Sequence, residues 1–272
     1  MLTKPAHLFD DATRVTAGDS CWRGRTSADY WAFVGPFGGA TAATILRALI
    51  DHPQRAGDPL ALTVNFCAPI AEGDFDLDIR LVKANRSSQH WCVELTQGGA
   101  DVATLATAVF AERRPSWSHQ QAEFPQAPPF EQILPYPKVA GPWVRQYDFR
   151  FADGDPDFDS GIKQGPASAL SKLWIGDRVP RKIDVLSLMS MSDAFFGRVF
   201  HARRELMPFG TVSLTTYFHA DAEDLAAEDI TRVLAVADAK IFHKSYCDQS
   251  GELWSPSGRL LATTTQIAYF KA

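Results

Sequence analysis

Leu261-Ala262-Thr263-Thr264-Thr265-Gln266-Ile267-Ala268-Tyr269-Phe270, near the C-terminal end, alternates as a β-strand does. Leu261, Thr263, Thr265, Ile267 and Tyr269 fall on one face, and Ala262, Thr264, Gln266, Ala268 and Phe270 on the other. On that second face one amide side chain, Gln266, stands among small residues. A related phrase, VATLATAVF, runs over Val102–Phe110. Two versions of one strand in one chain predict an internal repeat.

Two further matches extend the repeat. Cys21-Trp22-Arg23-Gly24 is echoed by Leu173-Trp174-Ile175-Gly176, and Leu62-Thr63-Val64-Asn65-Phe66 by Leu214-Thr215-Thr216-Tyr217-Phe218, both at a shift of 152. The final strands are shifted by 159, so a seven-residue insertion is expected, around Trp254–Gly258.

Each half reads alike. In the first, an extended segment over Cys21–Phe33 precedes Gly35-Pro36-Phe37-Gly38-Gly39. A helix over Gly39–Ile50 follows, with Ala42, Ile45, Leu46 and Leu49 on one stripe, ended by His52-Pro53. Strands are predicted over Leu62–Phe66, Asp74–Val82, Gln89–Leu95 and Asp101–Ala111, with a turn at Gly98-Gly99. In the second half Leu170–Ile175 is extended and Ile183–Phe200 is helical. Strands follow over Thr211–Phe218, Arg232–Val236, Lys240–Tyr246 and Leu260–Phe270. Between the halves, Pro115–Pro142 holds seven of the 17 prolines and reads as linker. Gln146–Phe151 is a short candidate strand, and Asp153–Gly165 an acidic loop. The expected units are 1–114, a linker over 115–168, and 169–272.

With 272 residues, 46% of them hydrophobic and 22% charged, the chain suits a globular protein with a sizeable core. A net charge of −5 gives no reason to expect nucleic acid or an anionic membrane as partner. No apolar run is long enough for a membrane span. MLTKPAHLFDD has no apolar signal-peptide core, so a cytoplasmic protein is expected. Cys21, Cys67, Cys92 and Cys247 lack paired spacing and are expected as reduced, buried thiols. The histidines show no metal-binding spacing, so no metal is predicted.

One helix per half needs a sheet curved around it to bury both apolar surfaces, and two such units can cover their exposed edges by joining them. The fold class is therefore α+β: a double hotdog, with two helix-wrapping antiparallel sheets joined edge to edge. At this point the residues themselves resemble a family. Phe37-Gly38-Gly39, Ser192-Asp193, Thr211 with Tyr217-Phe218-His219, and Trp254…Gly258-Arg259-Leu260-Leu261-Ala262…Gln266 are similar to the TesB-like acyl-CoA thioesterases. The resemblance covers roughly 20–112 and 170–271. It implies an acyl-CoA substrate, hydrolysis without a bound cofactor, and a water held by Asp193, Thr211 and Gln266. It also implies substrate contact at Gly38, Gly39 and Ser213. A further homodimer of double hotdogs is compatible with that fold. Two departures stand out: Ala40 where TesB proteins often have Gln, and Ser213-Leu214 where they carry Asp-His.

The residues read by themselves fit this chemistry. At helical spacing Asp193 interrupts an apolar stripe, where a carboxylate must be hydrogen-bonded or face a cleft. By the repeat it answers to Thr41, Thr211 to Pro59 and Gln266 to Thr107, so only the second half is equipped. Thr and Gln side chains can each hydrogen-bond a water, and a carboxylate can serve as base. Gly38 and Gly39 at a helix start offer free N–H groups, or mark a tight turn. Lys83, Arg86 and Arg113 could meet coenzyme A phosphates or be solvated surface. Ser213, His219 and Asp221 lack the elbow motif of a hydrolase triad. The alternatives are a hydratase or dehydratase with a His–acid pair, for which His52, His90 and His243 are poorly placed, and a non-catalytic acyl-CoA-binding module.

Overall fold

A computed structural model describes residues 6–99, 101–137, 141–156 and 168–271. Lys138–Ala140, inside the predicted linker, and 157–167, the bulk of the predicted acidic loop, lie outside the described residues. In chain order the first half contains α1 (Leu8–Ala12), β1 (Val15–Ala17), β2 (Trp22–Arg25), α2 (Gly38–Ile50), β3 (Asp58–Phe66), β4 (Asp74–Ala84), β5 (Ser88–Thr96) and β6 (Thr104–Ala111). After it come β7 (Tyr147–Asp153), β8 (Ser171–Asp177), α3 (Val185–Met191), α4 (Arg198–Arg203), β9 (Phe209–Phe218) and α5 (Ala222–Glu228). The chain closes with β10 (Arg232–Asp238), β11 (Phe242–His243), β12 (Tyr246–Trp254) and β13 (Leu260–Phe270).

Among the described residues these strands form one antiparallel sheet, ordered β1-β2-β4-β5-β6-β3-β9-β13-β12-β10-β8-β7, with β11 beside β12. Read from the centre outward, the order is the same in both directions: β3-β6-β5-β4-β2 on one side, β9-β13-β12-β10-β8 on the other. This is the double hotdog arrangement expected from the repeat. The join is β3 with β9, where Thr63 faces Thr215 and their hydroxyls lie 2.9 Å apart. Those two residues are separated by the repeat shift itself, so the pseudo-twofold axis passes through their hydrogen bond.

The helices fill the inside of the curve. Ten of the thirteen residues of α2 are buried, far more than one stripe, because sheet and α3 enclose it together. Leu46 and Leu49 are wholly buried, each stabilising the fold by about 2 kcal/mol. At its first turn α2 meets the end of α3: a Cβ on Gly39 would collide with the Ser190 carbonyl oxygen. Glycine is required there by contact, not by backbone angle.

Register corrects the repeat. The 152 shift holds for β3 and β9, but cross-strand pairing makes Trp22 equivalent to Leu173, since these oppose Leu77 and Ala235 in turn. Trp22 packs on the main core, whereas Trp174 lies on the outer face, against Phe124, Phe130 and Trp254. For the last strand, Thr63 opposes Thr107 and Thr215 opposes Thr265, a shift of 158. Gln266 is thus equivalent to buried Ala108, not to Thr107, which is exposed on the other face. β4 and β5 carry the same 158 shift to β10 and β12, so the insertion lies between β9 and β10. It holds α5, capped at both ends of its first turn by Asp221 and Asp224. The region around Trp254–Gly258 is instead the β12–β13 turn.

Two element predictions also change. The helix predicted over Ile183–Phe200 is broken into α3 and α4. The Ser192 hydroxyl bonds back to the Leu188 carbonyl at 2.7 Å, and the Asp193 and Ala194 amides bond three residues back, so the chain tightens out of the helix. Apolar periodicity cannot register this break, because Phe195 and Phe196 are buried in any case. The strand predicted over Lys240–Tyr246 is a tight hairpin, with Lys244 and Ser245 at positive φ, and the long strand is β12. The predicted linker is not all loop: Trp143 and Val144 are buried and β7 pairs with β8. No described helix is long and apolar enough to cross a membrane.

Gly39→Ala should overpack the α2–α3 contact and lower stability by about 1–3 kcal/mol. Urea unfolding at fixed m-value measures this; an unchanged midpoint would mean that the helices can simply separate.

Candidate functional site

The break between α3 and α4 puts a carboxylate where the helices part. Asp193, 9% exposed, lies at a cavity of about 380 Å³ together with Gly38, Thr211 and Gln266. The Gln266 amide Nε2 donates to Asp193 Oδ1 at 3.1 Å, and its Oε1 accepts from the Thr211 hydroxyl at 3.2 Å. Thr211 Oγ1 also lies 3.5 Å from Asp193 Oδ1. The sequence-predicted trio is brought together from a turn and two strands.

Each side chain is aimed by its local backbone. In β9, Ser213 pairs with Ile267 and Thr211 with Ala268, so Val212 is an extra residue, a β-bulge. Strict alternation from buried Leu214 would point Val212 inward and Thr211 out. The bulge reverses this: Val212 is 39% exposed and Thr211 lines the cavity. Gln266 needs no such device, since it shares the inward face of β13 with Thr264 and Ala268.

Asp193 also meets the start of α2. The Gly39 N–H donates to its carboxylate. A Cβ on Gly38 would come within 2.7 Å of its Oδ2. The positive end of α2 therefore faces the carboxylate. Burial pushes the carboxyl up to about 7, against the bonds from Gln266, Gly39 and Thr211, which lower it. Desolvation wins, and the group sits where a base is most useful at neutral pH. The Gly38 N–H has no backbone acceptor among the described residues.

Arg198 anchors the turn that carries Asp193. It is 1% exposed, and no carboxylate among the described residues forms an ion pair with it. Its guanidinium donates to the Phe196 carbonyl at 2.6 Å, Ser171 Oγ at 2.7 Å and Gln249 Oε1 at 3.1 Å. Gln249 stands directly across from Gln266 on β12. Burial pulls this guanidinium down to about 9. Sequence reasoning missed it because an arginine in a helical stretch reads as surface.

The other candidates fall elsewhere. Gly38 lines the cavity, whereas Ser213 does not; alternation sets it on the outer face of β9, which corrects its expected substrate contact. The Arg113 guanidinium binds the Phe218 carbonyl at 2.6 Å, at the far end of β9 from Thr211. Lys83 and Arg86 flank the β4–β5 turn at that same end of the sheet. His219 meets Thr263 at 3.0 Å and Asp221 caps α5, so no triad forms with Ser213. His52 stacks on Trp22 and meets Trp91 edge-on. Ala40 and Leu214, at the two departures, are core residues. Only Cys247 is buried; Cys21 and Cys92 are half-buried, and exposed Cys67 lines the cavity. Trp143, from the predicted linker, also lines it. Its only sequence signal was a large aromatic set behind Gly141-Pro142.

Comparison with known proteins now has a site to refer to. The acyl-CoA thioesterase N-terminal domain matches residues 27–111, and the acyl-CoA thioesterase C-terminal domain matches 113–270. The chain belongs to the acyl-CoA thioesterase family. Its structure is similar to that of a conserved protein of unknown function with a hot dog fold from Alicyclobacillus acidocaldarius. That protein shares 42% identity with it over 98% of this chain and 99% of the other, at a TM-score of 0.92. It is also similar in fold to the acyl-CoA thioesterase II TesB2 of Mycobacterium marinum. There the TM-score is 0.74 and the identity 19%, over 97% of this chain and 98% of the other. No curated protein sequence matches the chain. As a family member it is a thioester hydrolase, and the TesB-like resemblance holds across both halves.

The raised Asp193 carboxyl has a stability consequence. Between the ordinary carboxylate value and about 7, the unfolded chain has lost this proton while the folded one keeps it, so stability falls as pH rises. Asp193→Asn removes that cost. It should melt above the wild type near pH 8, with the gap closing below about pH 4. Thermal denaturation at the two pH values checks this; a gap that persists at low pH would mean that burial does not hold the proton.

Proposed function

We propose that the protein hydrolyses an acyl-CoA thioester to the free acid and coenzyme A, using a water activated by Asp193, Gln266 and Thr211. The observation that carries this reading is the buried carboxyl with its value lifted to about 7 at the edge of the cavity. A water between the three side chains donates its proton to Asp193 as its oxygen attacks the thioester carbon. The carbonyl oxygen becomes an oxyanion, for which the Gly38 N–H at the start of α2 is the available donor. The C–S bond then breaks and the thiolate leaves with the carbonyl electron pair returning. A thiol is acidic enough that no strong general acid is needed. Thr211 orients the Gln266 amide, so that its N–H faces the carboxylate.

Among the described residues there is one such set, since Pro59 and Ala108 stand at the equivalent strand positions and Thr41 at the repeat shift from Asp193. Among the described residues no histidine lines the cavity, which leaves a hydratase without its usual base.

Thiol release from a panel of acyl-CoAs tests the proposal. Asp193→Asn and Gln266→Leu should each lose at least about 100-fold in kcat/KM while folded, equivalent to about 2.7 kcal/mol of transition-state stabilisation. Full turnover by Asp193→Asn would remove the mechanism. A wild type silent on every thioester, yet stabilised by acyl-CoA, would make it a binding module.

A further inference from the structure

The walls of the cavity are chemically uneven. Asp193 is the one charged side chain among its described lining residues, and no methionine is present there. Much of the buried wall is built of rings. Phe37 and Trp143 stack with centroids 4.3 Å apart and planes 7° from parallel, and Trp143 meets Phe196 at 6.1 Å. These three rings are 4%, 8% and 8% exposed and form an aromatic floor, beside which buried Ile70, Val144, Phe195 and Phe200 also line the cavity, whereas Phe33 and Val34 are largely exposed. The floor comes from three separated pieces of chain: the N-cap of α2, the inter-unit segment and the α3–α4 turn.

That floor cannot easily reshape itself. Phe149 backs it at 6.1 Å from Trp143 and 5.5 Å from Phe196, and Tyr147 lies edge-on to both Phe37 and Trp143. Tyr147 is fixed in turn by its hydroxyl, 2.7 Å from the Ser190 hydroxyl. Flexible thioether side chains, which let a pocket adapt to chains of many lengths, are missing. An apolar cavity of about 150 Å³ holds a benzene ring. The present 380 Å³ must also take the thioester and the end of its carrier arm, and it lies at the small end of ligand pockets.

We infer that the acyl group is compact and carries an uncharged aromatic ring, seated against Phe37, Trp143 and Phe196, and that Phe196 helps to select it. This inference rests on the thioesterase reading above. Ring–ring contact adds attraction beyond buried area, which a flexible alkyl chain of similar bulk does not receive.

Thiol release from phenylacetyl-CoA, benzoyl-CoA, hexanoyl-CoA and decanoyl-CoA tests it. Phenylacetyl-CoA should exceed decanoyl-CoA by about tenfold in kcat/KM, the factor that ~1.4 kcal/mol supplies. In Phe196→Leu the phenylacetyl-to-hexanoyl ratio should fall about tenfold. Product inhibition of the wild type by phenylacetate against decanoate gives the ranking without any variant. Decanoyl-CoA as the preferred substrate, or an unchanged ratio in a folded Phe196→Leu, would overturn the inference and leave hydrolysis standing. If no thioester is cleaved, the hydrolytic proposal falls instead. The order of thermal stabilisation by phenylacetyl-CoA and decanoyl-CoA then decides the pocket's preference.

Discussion

The Gly39 N–H donates to a buried carboxylate, and the two helices of the fold can approach one another only because α2 begins with two glycines. A side chain on Gly39 would strike the Ser190 carbonyl, and one on Gly38 would strike Asp193 itself. The contact does two things at once. It closes the interior, so that sheet and helices bury a common core. It also desolvates Asp193 while presenting the positive end of a helix to it. Burial raises the carboxyl and the N–H bonds restrain the rise, and the balance leaves the group near neutrality.

Duplication supplied the frame twice and the chemistry once. Both halves carry the same bulge: Leu60 is the unpaired residue in β3 and Val212 in β9. Each bulge turns the residue before it inward, but that residue is Pro59 in one half and Thr211 in the other. The final strands present Ala108 and Gln266 at matching inward positions. The equipped half is therefore distinguished by side chains on strands that both halves share, and by the break between α3 and α4 that places Asp193. The hydrogen bond between Thr63 and Thr215 marks the axis that relates them.

Much of this was legible in the sequence. The strand predicted over Leu260–Phe270 is β13 to the residue, and its echo at Val102 exposed the repeat. Asp193, Thr211 and Gln266 were identifiable through the resemblance to TesB-like thioesterases; in the residue pattern itself only Asp193 and Gln266 stood out, as polar side chains among apolar or small ones. The register was not legible. A strand shifted by one residue presents its other face, so matching Gln266 to Thr107 and Trp22 to Trp174 put residues of one sheet face against residues of the other. The helix break at Ser192–Gly197 was hidden too, because it is set by hydrogen bonds to Leu188 and by Arg198 gripping the Phe196 carbonyl. Those are tertiary facts that apolar periodicity does not encode. The ring floor escaped notice for the same reason, since Trp143 reaches it from a proline-rich stretch.

The pH dependence of kcat/KM tests the central claim most directly, that a desolvated Asp193 is the base. Acyl-pantetheine is the suitable substrate, because it has no phosphate to titrate. If Asp193 acts as proposed, the rate rises with unit slope through an acid limb centred near 7 and levels above it, reporting the free enzyme's carboxyl. A profile already level from about pH 5 upward would mean that the base is an ordinary solvated carboxylate or no carboxylate at all, and would contradict the account.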